Sequence, residues 1–249
     1  MARKRVVRFW AAAVWLLIWQ GASMALSQPL LLPSPLAALR RLGELALTIA
    51  FWQTVARSTG HILGGFLLAC CAGVLLAVPA SRFRWVRELL APPVAVIKAV
   101  PVVSFIILAL VWLNARSLSV FIAFLIVLPP VYLNVLEGIG RTDRFLLEMA
   151  RVFRVPLRRQ VRQIYVPQVL PYFRAAVSLA LGLCWKAGAA AEVIGLPAGT
   201  MGERVYMAKV YFMTEDLFAW TAAIVAVSAV FERLFLRGLD ALAGKAGGA

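Results

Sequence analysis

Long runs of apolar residues with few or no charged side chains alternate along the sequence with short basic segments. A helix needs about 20 mostly apolar residues to cross a bilayer, so each run is a candidate transmembrane segment. The pattern predicts an all-α integral membrane protein of about six transmembrane helices, at residues 9–26, 58–81, 99–115, 117–136, 175–195 and 217–231.

The first run has a second interpretation. Basic residues precede it, as in a secretory signal peptide; they are Arg3, Lys4, Arg5 and Arg8. The apolar part is longer than the roughly 7–15 residues usual in signal peptides, and no clean small-residue cleavage site follows it. The pattern therefore favours an uncleaved first span.

Two connections between the runs are amphipathic and too long to be turns. Residues 36–57 carry apolar side chains at helical spacing, which predicts a helix lying at the membrane surface. In residues 137–169 the pattern predicts two short helices joined near Arg154, the second ending at Pro167. The chain is thus divided into an N-terminal span with its amphipathic segment (1–57), a transmembrane core (58–240) and a short tail (241–249).

The composition indicates a membrane protein and excludes several kinds of site. Hydrophobic residues make up 63% of the 249 residues and charged residues only 15%, compared with roughly 45–50% and about 25% in soluble domains. The 3 cysteines lie in apolar runs, the single histidine belongs to no metal-ligand pattern, and no Walker A motif occurs. We therefore expect no cofactor, no metal and no catalytic residue in this chain.

The basic residues indicate an orientation. The chain has 26 Lys+Arg against 11 Asp+Glu. With a cytoplasmic N-terminus, the inner segments hold 17 of these basic residues and the outer segments hold 6, which is a clear positive-inside bias. Because the basic residues are spread over the membrane edges instead of one domain, nucleic-acid binding is excluded and both termini are predicted to be cytoplasmic.

Within residues 137–169, one pattern resembles the EAA loop of binding-protein-dependent ABC importer permeases. The family pattern is Glu-Ala-Ala, three residues, Gly, nine residues and then Ile-x-Leu-Pro. At the same spacing this chain has Glu-Met-Ala at 148–150, Arg154, and Ile-Tyr-Val-Pro at 164–167. Since glycine permits a left-handed turn, Arg154 either incurs a steric cost or imposes a different turn.

Other segments are similar to the nitrate/sulfonate/taurine-type branch of these permeases. They are Leu-Pro-Ser-Pro at 32–35, Lys-Ala-Val-Pro at 98–101 and Ala-Ala-Glu at 190–192. The resemblance implies a type-1 ABC importer permease fold in the inner membrane. It also implies that the chain is half of a homodimer that forms the path for a small solute, such as nitrate, a sulfonate or taurine.

The same resemblance implies partners and functional residues. The loop is expected to dock as a coupling helix on a separate ABC ATPase subunit, present in two copies, and an extracytoplasmic substrate-binding protein is expected to deliver the solute. ATP would then be used by the partner and not by this chain. The residues implied in coupling are Glu148, Ala150, Arg151, Phe153, Arg154, Ile164 and Pro167.

Two charged residues, Lys186 and Glu192, lie inside the fifth predicted span. Charges at membrane depth are costly and usually face the bundle interior or water, so both are candidates for the translocation path. Lys186 would attract an anionic substrate or serve as a structural partner. A separation of six residues places the two about 120° apart on a helix, which disfavours a direct pair. Lys98 is interpreted as an interface residue that snorkels.

A self-contained secondary carrier is the alternative function. Such carriers commonly have inverted repeats and coupling acids near the membrane midplane. No repeat relates the halves of this sequence, and Glu192 is the only candidate acid. A membrane-embedded enzyme would need a cluster of catalytic side chains, which the sequence lacks, so the permease interpretation is favoured.

Overall fold

The computed structural model describes residues 3–26, 28 and 30–247, with side chains for 10–11, 13–26, 28 and 30–241. The described part is helical and contains no strand, as the hydrophobic pattern predicts. Its helices are α1 (Arg3–Leu26), α2 (Pro35–Ala46), α3 (Ile49–Arg82), α4 (Arg84–Ala99), α5 (Val102–Ala109), α6 (Ala115–Gly140), α7 (Arg144–Val152), α8 (Leu157–Gln160), α9 (Val166–Gly195), α10 (Met201–Val210) and α11 (Thr214–Gly247), with a π-helical turn (Val161–Tyr165) between α8 and α9.

Three long helices, α3, α6 and α9, form the centre of the bundle. Small side chains lie between them, among them Ala69, Ala123 and Ala180, which are fully buried. Small residues let helix backbones approach closely. In a membrane the lipid is as apolar as the inside of the bundle, so helix pairs are stabilised by this close packing instead of by the hydrophobic effect. The helices α10 and α11 pack against α9.

Four helices of the described part are long and apolar enough to cross a membrane, namely α3, α6, the continuous helix Leu157–Gly195, and α11. They correspond to the second, fourth, fifth and sixth predicted spans. The helix α1 covers the first predicted span, but its described apolar part, Ala13–Leu26, is shorter than a crossing requires. A first transmembrane helix therefore stays a prediction.

The third predicted span, at 99–115, is wrong as a straight helix. Instead α4 and α5 are long and apolar enough to form a span only as a pair, and the two helices meet at a bend of 104°. Pro101 disfavours the helical conformation of the residue before it, and Val100 is accordingly extended, with φ −78° and ψ 133°. Hydropathy does not reveal this break because the residues beside it are apolar.

Two further helix boundaries differ from the predicted ones. The amphipathic segment 36–57 is not one helix, because α2 ends at Ala46 and Thr48 begins α3. The Thr48 side chain accepts a hydrogen bond from the N–H of Phe51 at 3.3 Å, which is the usual role of an N-cap threonine. At the other end of the chain, α11 continues to Gly247, so the tail predicted at 241–249 is helical as far as the description reaches.

The turn after α7 forms around Arg154, as the spacing predicts. The N–H of Val155 donates to the carbonyl of Ala150 at 2.8 Å, and the N–H of Arg154 donates to the carbonyl of Arg151 at 3.1 Å. These two bonds define a Schellman motif, whose left-handed position is usually a glycine. Arg154 holds that position with φ 50°, so the arginine adopts the left-handed turn.

Arg154→Gly should stabilise this turn, and Arg154→Val should destabilise it. A side chain with a Cβ atom in the left-handed conformation costs about 1–2 kcal/mol, and a β-branched residue fits it worst. Hydrogen exchange of a peptide covering residues 150–156 reports opening of the Val155–Ala150 bond. Exchange should be slower in the glycine variant and faster in the valine variant. Equal exchange in all three proteins would contradict the proposed strain.

The sequence pattern predicts that Pro167 ends the second loop helix, and this prediction is wrong. The chain passes from α8 through the π-helical turn into α9, and the helix is continuous over Leu157–Gly195. Pro167 lies directly after the π-helical turn, and such a local adjustment accommodates the missing N–H of a proline inside a membrane helix. The second short helix is therefore the beginning of the fifth span.

Candidate functional site

Large apolar side chains are exposed on α7 and on the turn that follows it. Phe145, Val152, Phe153 and Leu157 are each more than 70% exposed, and Met149 is about half exposed. These five residues are referred to below as the loop surface. Exposed arginines lie between them in the sequence, so the surface combines an apolar patch with positive charge. Soluble surfaces seldom leave such a patch uncovered unless a partner binds there.

The residues predicted to act in coupling divide into exposed and buried ones. Glu148 and Arg151 are exposed, whereas Ala150 is fully buried and Ile164 nearly so. Ala150 is therefore small because it packs inside this chain, and not because a partner approaches it. Sequence reasoning missed Phe145, although its spacing of four and seven residues from Met149 and Val152 places all three on one helical face.

The loop surface and α10 lie at opposite ends of α9. The loop precedes the start of α9, and α10 follows its end at Gly195. A helix of 30 residues at about 1.5 Å per residue spans about 45 Å. A partner bound to the loop surface is therefore well separated from α10.

A cavity of about 610 Å³ lies beside the break between α4 and α5. Its wall comes from both sides of the break, from the part of α6 around Pro129 and Pro130, and from α9. Most of the wall is apolar, and its polar side chains are those of Lys98, Asn134 and Lys186. Val103 and Leu183 in the same wall are exposed, so the cavity is open on one side.

Lys98 and Lys186 line this cavity without a partner of opposite charge. Neither side chain has a hydrogen bond or an ion pair within the described part of the protein, and the cavity wall contains no acidic residue. Lys98 lies two residues before the break in the bent pair, and its position at the membrane interface stays a prediction. Two lysines that are 88 residues apart in the sequence thus line one cavity.

Glu192 is buried between α3, α9 and α10, with 1% of its surface exposed. Its Oε2 accepts hydrogen bonds from the Ser58 hydroxyl at 2.7 Å and from the N–H of Gly202 at 3.2 Å. The Ser58 oxygen in turn accepts from the N–H of Met201 at 2.8 Å. His61 Nδ1 lies 4.0 Å from the other carboxylate oxygen. The carboxylate thus stabilises the first turn of α10 through these hydrogen bonds, at the end of the helix where the dipole favours negative charge.

The structure does not bring Lys186 and Glu192 together. Lys186 is exposed in the cavity, whereas Glu192 is buried against Ser58, in agreement with their predicted positions on different faces of the helix. Sequence reasoning missed Ser58 as a partner because it is 134 residues from Glu192. A role for either charged residue in a translocation path stays a prediction.

Ser58→Ala should lower the stability of the chain by about 1–3 kcal/mol, the usual cost of leaving buried polar groups unpaired. The substitution removes the donor to Glu192 and the acceptor for Met201. Ser81→Ala is the matched control, because that exposed hydroxyl bonds only to the Val78 carbonyl of its own helix. Thermal unfolding of both variants in detergent is the measurement. Equal unfolding temperatures would show that the Ser58 network does not hold α10 in place.

An ion pair fastens α2 to the beginning of α11. The Arg41 guanidinium pairs with Asp216 and with Glu44. The hydrogen bonds to these two carboxylates raise the pKa of Arg41 above its ordinary value. The amphipathic helix α2 is thus held beside the α10–α11 connection, at the end of the bundle away from the loop surface.

Among the described residues, no group of three or more His, Cys, Asp or Glu could hold a metal ion.

Comparison with known proteins identifies the family. The family described as "Binding-protein-dependent transport system inner membrane component" matches residues 69–243, which include the loop surface and the cavity. A protein of Escherichia coli provisionally named aliphatic sulfonates transport permease protein SsuC is 29% identical over 88% of this chain and 87% of its own length. The nitrate import permease protein NrtB of Synechococcus elongatus is 26% identical over 75% of this chain and 70% of its own length.

A solved structure shares the fold. The MetNI methionine ABC transporter, in an inward-facing conformation, contains a chain that matches with a TM-score of 0.51 at 18% identity, over 76% of this chain and 93% of that one. At this identity the likeness concerns the fold alone. The family match over 69–243 covers more than half of the sequence, and it shows that this chain belongs to the binding-protein-dependent transport system inner membrane components and is a membrane transport subunit, not an enzyme.

Proposed function

We propose that this chain is the permease subunit of an ATP-driven, binding-protein-dependent importer, and that it forms the path for a small solute with an oxyanion group, such as nitrate, a sulfonate or taurine. The names of the two relatives support an oxyanion, because one refers to aliphatic sulfonates and the other to nitrate. In the proposed orientation the loop surface and both termini face the cytoplasm.

The observation that carries the proposal is the loop surface. Its apolar side chains alternate with exposed arginines, which keeps the surface out of the hydrocarbon region, and we infer that a protein covers it. In the proposal that protein is an ABC ATPase subunit, one copy for each permease of a homodimer. Phe145 and Phe153 are the aromatic anchors, since exposed aromatic residues contribute most to such interfaces. Glu148, Arg151 and Arg154 lie at the rim.

We assign the solute path to the cavity beside the α4–α5 break. Broken helices around a central cavity expose polar groups to a solute at membrane depth in many transporters. The cavity is open on the face that carries Val103, Leu179 and Leu183, and a second copy of the chain would cover this face. Lys186 lines this path. Glu192 holds α10 in position, and α10 lies on the side of the membrane where the binding protein is expected to dock.

Reconstitution tests the proposal. The chain is purified alone and together with an ABC ATPase and a binding protein from the same organism, and both samples are placed in proteoliposomes. ATP hydrolysis and uptake of nitrate or ethanesulfonate should occur only with all components present. Uptake by the chain alone, driven by an ion gradient, would overturn the proposal in favour of a secondary carrier.

A further inference from the structure

We propose that Lys98 and Lys186 together form an anion-selecting site in the cavity beside the α4–α5 break, a proposal that rests on the proposed function in taking the cavity as the solute path. The class of ligand is a small anion with a short apolar group, for which an alkanesulfonate is the probe. The permease itself would then select anions over cations by the charge of its cavity wall.

The charge of the cavity wall carries this inference. Lys98 and Lys186 are the two charged side chains in the wall, both are positive, and they come from different helices, α4 and α9. No carboxylate neutralises either of them within the described residues. A wall of one sign with apolar surroundings concentrates the oppositely charged ligand, so the cavity attracts anions and repels cations.

Snorkelling does not account for these lysines. A snorkelling lysine lies near the end of a span and reaches for the headgroups. Lys186 is nine residues before the end of α9, and Lys98 lies at the internal break of the bent pair. The nearest acid in the sequence, Glu192, is hydrogen-bonded to Ser58 and Gly202 instead of Lys186. The fold thus leaves both ammonium groups available for a ligand.

The rest of the wall defines the other part of the ligand. Valine, isoleucine, leucine, proline and alanine side chains provide most of the lining, and the volume of about 610 Å³ accommodates an alkanesulfonate with some water. Apolar side chains gain from covering an alkyl group, whereas an inorganic anion offers them no such contact. We therefore expect the site to retain ethanesulfonate better than nitrate.

Cysteine labelling of the full chain tests the charge of the cavity without requiring transport. The 3 free cysteines, Cys70, Cys71 and Cys184, are replaced by alanine, and a reporter is introduced as Leu183→Cys in one protein and Val103→Cys in another. Each purified protein reacts with an anionic reagent, 2-sulfonatoethyl methanethiosulfonate, and with its cationic trimethylammonium counterpart. The ratio of the two rates, anionic over cationic, measures the local potential.

Lys98→Gln and Lys186→Gln should each lower this ratio several-fold, and the double variant should lower it by about tenfold or more. Lys186→Arg should retain the ratio, and so should Lys209→Gln, because Lys209 lies on α10 outside this cavity. Ethanesulfonate should slow labelling of the reporter when both lysines are present, more strongly than nitrate does, and should have no effect in the double variant.

An unchanged ratio at both reporters in the double variant would overturn the inference, and so would equal protection by a tetraalkylammonium salt. Because the two reporters lie on different helices, a local disturbance at one of them does not decide the result. The labelling ratio is independent of ATP and of the binding protein. Failure of the importer proposal therefore appears in reconstituted uptake, and failure of the anion site appears in the labelling.

Discussion

Phe153→Ala should weaken binding of the ATPase partner by at least about 20-fold and abolish uptake, while the chain itself remains folded. Phe153 is 74% exposed, so its truncation removes little packing inside the chain. An aromatic anchor that becomes buried in an interface typically contributes about 2 kcal/mol or more, and about 1.4 kcal/mol corresponds to a tenfold change in affinity. The measurement is the affinity of the purified ATPase for the chain in lipid nanodiscs.

Phe212→Ala is the matched control. Phe212 is 75% exposed and has a left-handed backbone at the end of α10, as Arg154 has at the end of α7. It follows α10, which begins beyond the other end of the 30-residue α9, a helix about 45 Å long, so its loss should leave ATPase binding unchanged. If Phe153→Ala binds the ATPase as tightly as Phe212→Ala does, the loop surface is not the docking site. Ala150→Trp is a poorer test, because Ala150 is buried and a tryptophan there would disturb the loop itself.

Features with local signals were predictable from the sequence. The long apolar runs locate α3, α6, α9 and α11, because burial in a bilayer requires apolar residues over a whole crossing. The spacing around Arg154 locates the turn after α7, because a helix that ends in a Schellman motif needs one left-handed residue at a fixed position. The chemistry that determines these features lies within a few residues of each one.

Features that depend on distant contacts were not predictable in this way. The cavity lies beside the bend at Val100 and is lined by both Lys98 and Lys186, and hydropathy does not register a bend between two helices. The sequence shows no partner for the charge of Glu192, whereas in the folded chain Ser58 and Gly202 donate hydrogen bonds to its carboxylate. Burial of Ala150 likewise depends on how α7 rests against the bundle.

Gly65→Ala should destabilise the whole bundle by about 3 kcal/mol, and by more if the backbone does not move. A Cβ atom on Gly65 would collide with the backbone carbonyl of Val120 and with the Ala123 side chain, at the contact between α3 and α6. Overpacking of a well-packed core typically costs about 1–3 kcal/mol and occasionally more, and a main-chain carbonyl cannot rotate away as a side chain can. Thermal unfolding in detergent, followed by size exclusion, is the measurement.

Gly64→Ala is the control, since it changes the neighbouring residue of the same helix by the same methyl group. A Cβ atom on Gly64 would meet nothing within 4 Å, and alanine favours a helix by about 1 kcal/mol over glycine, so this variant should be as stable as the parent chain or slightly more stable. The Gly60-x-x-x-Gly64 spacing resembles a helix-pairing motif, yet a Cβ atom on Gly60 would also meet nothing within 4 Å. Equal unfolding temperatures for the two alanine variants would mean that α3 and α6 do not approach closely at Gly65.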